Sequence, residues 1–426
     1  MEAERGGHVQ FIEVPREEYD AFVASHPLCN VLQSSAWAEV KGWGHSLTGL
    51  RDDTGTLVAA GLVLKRHLPL GMSFWYMPHG PILDFEGPYL EVYLRELRAF
   101  AKKNRAVAVR IDPFVPVRKA PLAELPEHYD PRARHIGRRI ESAGFKHLGF
   151  VMSLHESLQP RFMPVTFRPA ELADAVPAPA GAAPAAQPGI PADAVAAYQA
   201  TLPKKSRTLA NNARNRFVEV TSGGADVLNE FLSVIEQTEE EKGIRLRSRE
   251  YYEKILAAYG DDAKIYLATL DVDSAIATYT ARRDADSAEL AATPASAKKK
   301  RNRLQDSIAS AAKNIAELEE SGQRGRVTLA GVLMVRFGTS AEMLYAGTNR
   351  HFGNIPAQHL MWVVALGEGF ASGLESVSLG GVDGSLTDSL MQFKSRFNPE
   401  IVEKIGEFQA NISPLGRLVS YYLSRR

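Results

Sequence analysis

A stretch rich in basic residues has the composition of an anion-binding surface. Arg207 lies in the run Lys-Lys-Ser-Arg-Thr that begins at Lys204, and five basic residues but no acidic one occur between Asp193 and Glu219. Basic side chains that no acid offsets attract anions, and arginine binds phosphate through two parallel hydrogen bonds. The stretch therefore predicts a phosphate-binding surface, and a solvated helix face is the alternative.

Two aromatic residues stand close to lysines. Trp37 and Lys41 are four residues apart, which places them on one face of a short predicted helix. Phe393 directly precedes Lys394, in a short segment after the glycine-rich turn at Gly380. A ring beside a cation suits the stacking of a base and the neutralisation of a phosphate. The alternatives are a core tryptophan, a surface lysine and a buried phenylalanine pair.

A carboxylate and a phenol occur at the ends of apolar runs that are typical of strands. Asp112 follows such a run and is held extended by Pro113, so it is placed to act as a base or to hold an amine. A simple turn is the alternative. Tyr345 supplies a hydroxyl, and Gly347 permits close approach of a ligand to the backbone.

A long helix with a basic start is predicted between residues 293 and 321. Thr293 and Pro294 form a typical helix start. Apolar residues then recur at heptad spacing: Leu304, Ile308, Ala311, Ile315 and Leu318. The basic block at its start consists of Lys298, Lys299, Lys300, Arg301 and Arg303. The block is a candidate polyanion-binding surface, and pairing with Asp284, Asp286 and Glu289 is the alternative.

Composition limits the remaining functions. Lys and Arg total 50, as do Asp and Glu, so affinity for a polyanion must come from local patches. The one cysteine, Cys29, excludes an internal disulfide and a cysteine-built metal site. P-loop, nucleophile-elbow and His-Glu-x-x-His motifs are absent, so we expect neither a metal nor a bound cofactor.

Without a signal peptide or a transmembrane segment, we expect a cytoplasmic protein, and peripheral contact with the membrane is compatible with this.

The order of helical and extended segments predicts an α+β protein with two similar units. We expect a first domain at 1–165, to which the segment 405–426 returns, and a second domain at 166–404. A helical arm is expected at 281–326, inserted in the second domain after a strand at 275–280. An Ala/Pro-rich loop is expected at 170–193, where 15 of 24 residues are Ala or Pro.

Taken in order, these motifs resemble the Fem family of non-ribosomal aminoacyltransferases over nearly the whole chain. The resemblance rests on Gln33-x-x-x-Trp37-x-x-x-Lys41, Tyr76-x-x-x-Gly80-Pro81, Ile111-Asp112-Pro113, Lys205-Ser206-Arg207, Tyr345-Ala346-Gly347, Gly381-Val382-Asp383-Gly384 and Phe393-Lys394. The chain departs from the family at Asn398, where a glycine is common.

The resemblance implies a fold and an activity. The fold would be two N-acetyltransferase-like domains related by duplication, with a helical arm in the second. The activity would be transfer of an amino acid from aminoacyl-tRNA to an amine of a UDP-linked or lipid-linked muramyl peptide. In this scheme Lys41, Arg207, Tyr345 and Trp37 bind the acceptor and its phosphates, and Lys394 and Asp112 are catalytic. We then expect tRNA to contact Phe393 and the basic block of the arm, Lys298, Lys299, Lys300, Arg301 and Arg303.

Two other functions remain open from the sequence. One is a CoA-dependent N-acyltransferase of the same fold, although the nearest pyrophosphate-loop string, at residues 350–355, has the wrong last residue. The other is a non-catalytic binding protein that uses the arm as its partner surface.

Overall fold

The computed structural model describes residues 9–154, 158–172 and 192–416, which form two mixed β-sheets. The first sheet contains β1 (Gln10–Glu13), β2 (Gly44–Arg51), β3 (Leu57–Leu68), β4 (Met72–His79), β5 (Ile82–Leu83), β6 (Ala106–Pro113), β8 (Lys146–His147) and β16 (Phe408–Asn411). The second contains β7 (Pro116–Pro121), β9 (Phe162–Phe167), β10 (Glu219–Gly223), β11 (Ala263–Asp271), β12 (Arg326–Phe337), β13 (Ser340–Thr348), β14 (Ser376–Ser378) and β15 (Glu400–Lys404). Most of the predicted Ala/Pro-rich loop lies outside the described residues.

Helices connect the strands within each half of the chain. Those of the first half are α1 (Arg16–Ser25), α2 (Ser35–Lys41), α3 (Leu90–Lys103) and α4 (Pro131–Ser142). Those of the second half are α5 (Ala192–Thr201), α6 (Lys204–Asn215), α7 (Leu228–Lys242), α8 (Arg249–Tyr259), α9 (Val272–Ala292), α10 (Lys298–Glu320), α11 (Ala357–Ala371) and α12 (Ser389–Lys394). None of the described helices is both long and apolar enough to cross a membrane.

The two sheets repeat one plan. In the first, β1, β2, β3 and β4 are antiparallel neighbours in that order, and α3 leads from β4 to its parallel partner β6. In the second, β10 to β13 repeat this order, and α11 leads from β13 to its parallel partner β14. Parallel neighbours require a crossover of this kind. The prediction of an α+β fold with two duplicated units is confirmed.

Each sheet is completed by strands from the other half of the chain. β7 and β9 come early in the sequence, yet both pair with β15 in the second sheet. β16 lies near the C-terminus, within the segment 405–426, and pairs with β6 and β8 in the first sheet. The predicted boundary at residue 165 is therefore not a boundary between the sheets, because β9 spans it and β7 precedes it. The reason is that backbone pairing joins segments that are distant in sequence.

The helical arm starts earlier than the sequence predicted. The strand expected at 275–280 is wrong, since these residues belong to α9. The Asp271 side chain caps that helix by accepting a hydrogen bond from the Ser274 amide at 2.8 Å. Thr293 ends α9 instead of starting the next helix, which begins at Lys298. The buried residues of α9 recur at helical spacing. The β-branched residues of the same segment are typical of strands, and they made the helical spacing hard to recognise in the sequence.

The arm packs on itself at one end and on the second unit at the other. α9 and α10 lie against each other along the hairpin. Ala311, Ile315 and Leu318 of α10 join Tyr279 of α9 in the core of the second unit. The predicted heptad seam therefore has a partner in α9 and in this core. The hairpin connects β11 to β12, where the first unit has only the turn at 52–56 between β2 and β3.

A shared apolar core joins the two units. Trp37 and Val40 of α2 are buried in one cluster with Phe231 of α7 and Tyr252 of α8. α2 also packs directly against α8. The last turn of α2 is consequently held against the second unit, and this is where the candidate site begins.

Candidate active site

Lys41 lies at the junction of the two units, in contact with aromatic rings from both. Gly42 ends α2 in the left-handed conformation, with a φ of 62°, and leaves Lys41 in the last turn. The Lys41 Nζ lies 4.8 Å from the centre of the Trp37 ring and donates a hydrogen bond to the Tyr251 hydroxyl at 3.3 Å. A lysine and a tryptophan that were predicted to share a helix face therefore do so, and Tyr251 of α8 joins them.

Arg247 and Tyr345 extend this group within the second unit. The Arg247 Nε donates to the Tyr345 hydroxyl at 3.2 Å, and the guanidinium lies 5.3 Å from the centre of the Tyr251 ring. The Tyr345 and Tyr251 rings meet edge to face with centres 6.2 Å apart. We call Lys41, Trp37, Arg247, Tyr251 and Tyr345 the cationic cluster.

The electrostatics of the cationic cluster favour an anion. Burial, with a smaller contribution from the nearby Arg247 guanidinium, lowers the pKa of Lys41 to about 8. Within the described ranges, the side chains of Lys41 and Arg247 contact aromatic residues, and neither forms an ion pair with a carboxylate. Lys41 and Arg247 share the Tyr251 ring, so an anion that contacts both cations is favoured. A phosphate or pyrophosphate has this charge.

A buried ion pair connects the two sheets on the other side of the site. The Asp112 carboxylate, at the end of β6, accepts hydrogen bonds from the Lys404 Nζ at 2.9 and 3.2 Å. Lys404 ends β15, and both residues are only 1% exposed. The His79 Nε2 lies 3.8 Å from the same carboxylate. We call the contact between Asp112 and Lys404 the interdomain ion pair.

The interdomain ion pair changes the interpretation of Asp112. Burial raises the pKa of Asp112 to about 6, although the Lys404 ammonium lowers it. Both carboxylate oxygens already bind Lys404, so Asp112 is a structural partner as well as a candidate catalytic group. It lines a small cavity of about 30 Å³ together with Lys404, Arg161 and Glu407.

Lys394 lies at the end of α12 with its ammonium directed at the glycine-rich turn. The Nζ donates to the Gly380 carbonyl at 3.0 Å and to the Gly381 carbonyl at 2.9 Å. A Cβ at position 380 would lie 3.4 Å from this nitrogen and 3.3 Å from the Met343 carbonyl oxygen, so the turn is built for close approach. Burial lowers the pKa of Lys394 to about 7, while Glu342 and Asp388 oppose the shift. Lys394 can therefore exchange a proton near neutral pH.

The residues around Lys394 form an aromatic cluster. Phe393 is half-buried and meets Trp362 edge to face, with ring centres 5.0 Å apart, and Phe397 at 5.3 Å. Part of the Phe393 side chain is exposed, so packing and a contact with a ligand are compatible here. Asn398, which departs from the family pattern, has a φ of 50°. Asparagine adopts this left-handed conformation more readily than most residues, so the backbone here does not require a glycine.

Arg207, which the sequence analysis assigned to the acceptor phosphates, is exposed and lies outside the cationic cluster. Its Nη1 donates to the carbonyls of Ala200 and Leu202 at 3.0 and 3.2 Å, and these carbonyls lie at the end of the preceding helix. Among the described contacts none links Arg207 to Lys41 or Tyr345. Arg207 therefore caps the end of α5, and its phosphate-binding role stays a prediction.

Two members of the arm's basic block also have internal partners. The Lys300 Nζ pairs with Glu289 at 2.7 Å, and the Arg301 Nη1 donates to the Leu290 and Thr293 carbonyls at the end of α9. Asp284 and Asp286, which the sequence offered as partners, pair with Arg283 and Arg282 of their own helix. The other members, Lys298, Lys299 and Arg303, are exposed.

Sequence reasoning missed three charged residues of the site. Arg247 lies in the segment before α8 and had no distinguishing pattern in the sequence. Lys404 ends β15, which also contains two glutamates, so its charge did not stand out in the sequence. Glu342 lies in β13 before Tyr345 and had no distinguishing pattern in the sequence.

Comparison with known proteins places the chain among relatives of this architecture. The model of the FemAB family matches residues 14–168 and 193–425. The protein named lipid II:glycine glycyltransferase in Staphylococcus aureus, in strains bovine RF122 and USA300, is 26% identical over 434 residues, which cover 96% of this chain and 94% of the relative. The crystal structure of FemX matches with a TM-score of 0.70 at 23% identity, covering 97% of this chain and 100% of FemX. The predicted fold of two N-acetyltransferase-like units is confirmed.

We predict that Lys404→Met destabilises the fold by about 3–5 kcal/mol near neutral pH, because it leaves the Asp112 carboxylate buried without its partner. The destabilisation should shrink as the pH falls. Without Lys404 the pKa of Asp112 in the folded state rises further above its unfolded value, so stability is present at low pH and is lost as the pH rises. Urea unfolding between pH 5 and pH 8 measures this.

The double variant Asp112→Asn/Lys404→Met is the control. It removes both charges, so we expect it to unfold at a higher urea concentration than Lys404→Met alone. Equal stability of the single and double variants would contradict the assigned pairing.

Proposed function

The chain belongs to the FemAB family, and from this premise we propose that it transfers an amino acid from aminoacyl-tRNA to an amine of a muramyl-peptide precursor. Its relatives in S. aureus are named for glycine transfer to lipid II. The chemistry is aminolysis of an ester: the amine nitrogen attacks the ester carbonyl carbon, and the ribose oxygen of the tRNA leaves.

The cationic cluster is the observation that carries this proposal. A lipid-linked or UDP-linked precursor carries a pyrophosphate, and Lys41 and Arg247 supply two cations without a carboxylate contact among the described residues. The tyrosine hydroxyls add donors and fix the two cations in position. An acceptor anchored in this way would extend along the junction of the two units.

Lys394 is suited to the donor side of the reaction. Its ammonium lies within a loop of backbone carbonyls beside the half-buried Phe393 ring. A cation at this position stabilises the negative charge that develops on the carbonyl oxygen during attack. The same charge favours the phosphates at the tRNA end, and Phe393 offers a surface on which a base can stack.

Asp112 contributes by holding Lys404 at the junction. The proposal that Asp112 itself deprotonates the amine has less support, because both of its oxygens are occupied by Lys404 and only 1% of the residue is exposed. Lysine amines have a pKa near 10.4, so a base is still needed near neutral pH.

The direct test is transfer by the purified chain from radiolabelled aminoacyl-tRNAs, assayed one amino acid at a time. A lipid-linked precursor and its soluble UDP-linked counterpart serve as acceptors in parallel. We expect label in the acceptor with one aminoacyl-tRNA and none with acetyl-CoA. Transfer from acetyl-CoA but from no aminoacyl-tRNA would overturn the proposal in favour of a CoA-dependent acyltransferase.

We predict that Lys41→Ala and Arg247→Ala each raise the acceptor KM by about 10- to 150-fold, which corresponds to the 1.5–3 kcal/mol of a charge-assisted contact. The kcat should change less. Because Lys41 loses its proton near pH 8, kcat/KM for the acceptor should fall above that pH in the wild type.

Arg207→Ala is the matched control, since Arg207 lies in the basic run but contacts the end of a helix. Its acceptor KM should equal that of the wild type. A raised KM in this variant together with a normal value for Arg247→Ala would restore the assignment of Arg207 made from the sequence.

We also propose that the exposed cations of the arm contribute to tRNA binding. Replacing Lys298, Lys299 and Arg303 by Gln should weaken tRNA binding and reduce the log–log salt slope by roughly 0.7–0.9 for each tRNA phosphate that the variant no longer neutralises. The control is Lys300→Gln, because Lys300 already pairs with Glu289. Binding measured at several salt concentrations, with no change in the triple variant, would exclude this role.

A further inference from the structure

Glu342 lies where two strands of the second sheet separate. β13 pairs in parallel with β14 over only three residues, which end at Glu342 opposite Ser378. Beyond this point β13 continues to Thr348, whereas the other chain segment turns away through Gly380 towards the α12 region. The opening that results contains the Lys394 ammonium, which donates to the Gly380 carbonyl.

A β-bulge directs Glu342 towards the first unit. On β12, Leu333 faces Tyr345 and the next residue, Met334, faces Met343, so Leu344 is an extra residue in β13. Bulges of this kind change the face on which the following side chains lie. Glu342 faces Val335, which is two residues from Leu333. Glu342 and Tyr345 therefore share one face of the sheet, because their partners Val335 and Leu333 are two residues apart.

This face is the one that meets the first unit. Leu333 and Val335 are buried in the same apolar cluster as Trp37. Tyr345 on this face carries the hydrogen bond from Arg247. Glu342 is thus placed on the same surface as the cationic cluster and close to Lys394.

The Glu342 carboxylate differs from the other acids of the junction because no described side chain or backbone group pairs with it. Within the described residues no hydrogen bond or ion pair to Glu342 is formed, although Lys404 and Lys394 both act on its charge. Glu342 is half-buried, whereas Asp112 is fully buried and bound to Lys404. Glu403 and Glu407 pair with arginines. An ammonium that enters the opening would find one free carboxylate.

We propose that Glu342 is the catalytic carboxylate that binds the acceptor ammonium and removes its proton. This inference rests on the proposed aminoacyl transfer. One proton moves from the ammonium to Glu342, and the free amine forms a C–N bond with the ester carbonyl carbon. The C–O bond to the ribose then breaks, the second proton of the nitrogen passes to the leaving oxygen, and Glu342 returns its proton to water.

The charges around Glu342 suit this role near neutral pH. Burial raises the pKa of Glu342 to about 7, while Lys404 of β15 and Lys394 of α12 oppose the shift. Burial and, to a smaller extent, the charge of Glu342 raise the pKa of Tyr259 of α8. The Tyr259 hydroxyl therefore stays neutral. A base with a pKa close to the working pH is the most effective one.

The test compares Glu342→Gln with the wild type over a range of pH. At pH 7 we expect kcat to fall by about 10²–10⁴-fold, the usual contribution of a general base. The ratio of the two rates should then shrink about tenfold per pH unit up to pH 9, because the free fraction of an amine with a pKa near 10.4 rises by that factor. A purely structural defect gives a ratio that does not vary with pH.

Three further variants separate the explanations. Glu342→Asp keeps a carboxylate and should retain the pH dependence of the wild type at a lower rate. Asp112→Asn should lower the rate by a factor that is constant with pH. Glu368→Gln changes a half-buried glutamate of the same unit that pairs with Lys264, and its rate should equal that of the wild type.

Thermal unfolding shows whether Glu342→Gln is folded. The folded-state pKa of Glu342 lies above its unfolded value, so its ionisation destabilises the fold as the pH rises towards 7. At pH 8 the variant should therefore unfold at a temperature no lower than the wild type. A constant rate ratio, or full activity of Glu342→Gln at pH 7, would overturn the role of Glu342 alone, whereas no transfer by the wild type would overturn the proposed function with it.

Discussion

The buried contact between Asp112 and Lys404 constrains how the two sheets meet. Each residue lies at the end of a strand in a different sheet, and neither charge is tolerated at this depth without the other. The strands that carry them are held by exchanged neighbours, since β7 pairs with β15 and β16 pairs with β6. The two units therefore cannot move far apart here without exposing backbone hydrogen bonds as well as breaking the ion pair.

This constraint positions groups that come from distant parts of the chain. Lys41 belongs to the first unit, while Arg247, Tyr251 and Tyr345 belong to the second, and their contacts require that the junction stay closed. Lys394 and Glu342 lie on the second unit at the opening of its sheet. Under the two proposals, anion binding and proton transfer take place in neighbouring regions of one surface. The Lys404 ammonium acts on the carboxylates of both Asp112 and Glu342.

Duplication explains why the two sheets share one strand order. The differences between the two copies explain the arm and the opening that only the second copy has. Both sheets have four antiparallel strands followed by a parallel neighbour. Where the first copy has a tight turn, the second carries the α9–α10 hairpin, which presents exposed cations at the start of α10. The parallel pairing in the second copy ends after three residues, which leaves space for the Lys394 ammonium, whereas the first copy continues its parallel pairing from Ser73 to His79.

Local patterns in the sequence were sufficient for most elements and for part of the site. Helical spacing placed Trp37 and Lys41 together, and ordered motifs identified the fold. The roles assigned to Tyr345 and Lys394 stay predictions. The same patterns failed for the strand expected at 275–280, because a buried helix face can have a composition similar to that of a strand. The phosphate-binding role of Arg207 stays a prediction. Arg247, Lys404 and Glu342 became evident only in the tertiary structure. These residues meet their neighbours through strand exchange and a β-bulge, which bring together charges that are far apart in the chain. No local periodicity in the sequence encodes such contacts.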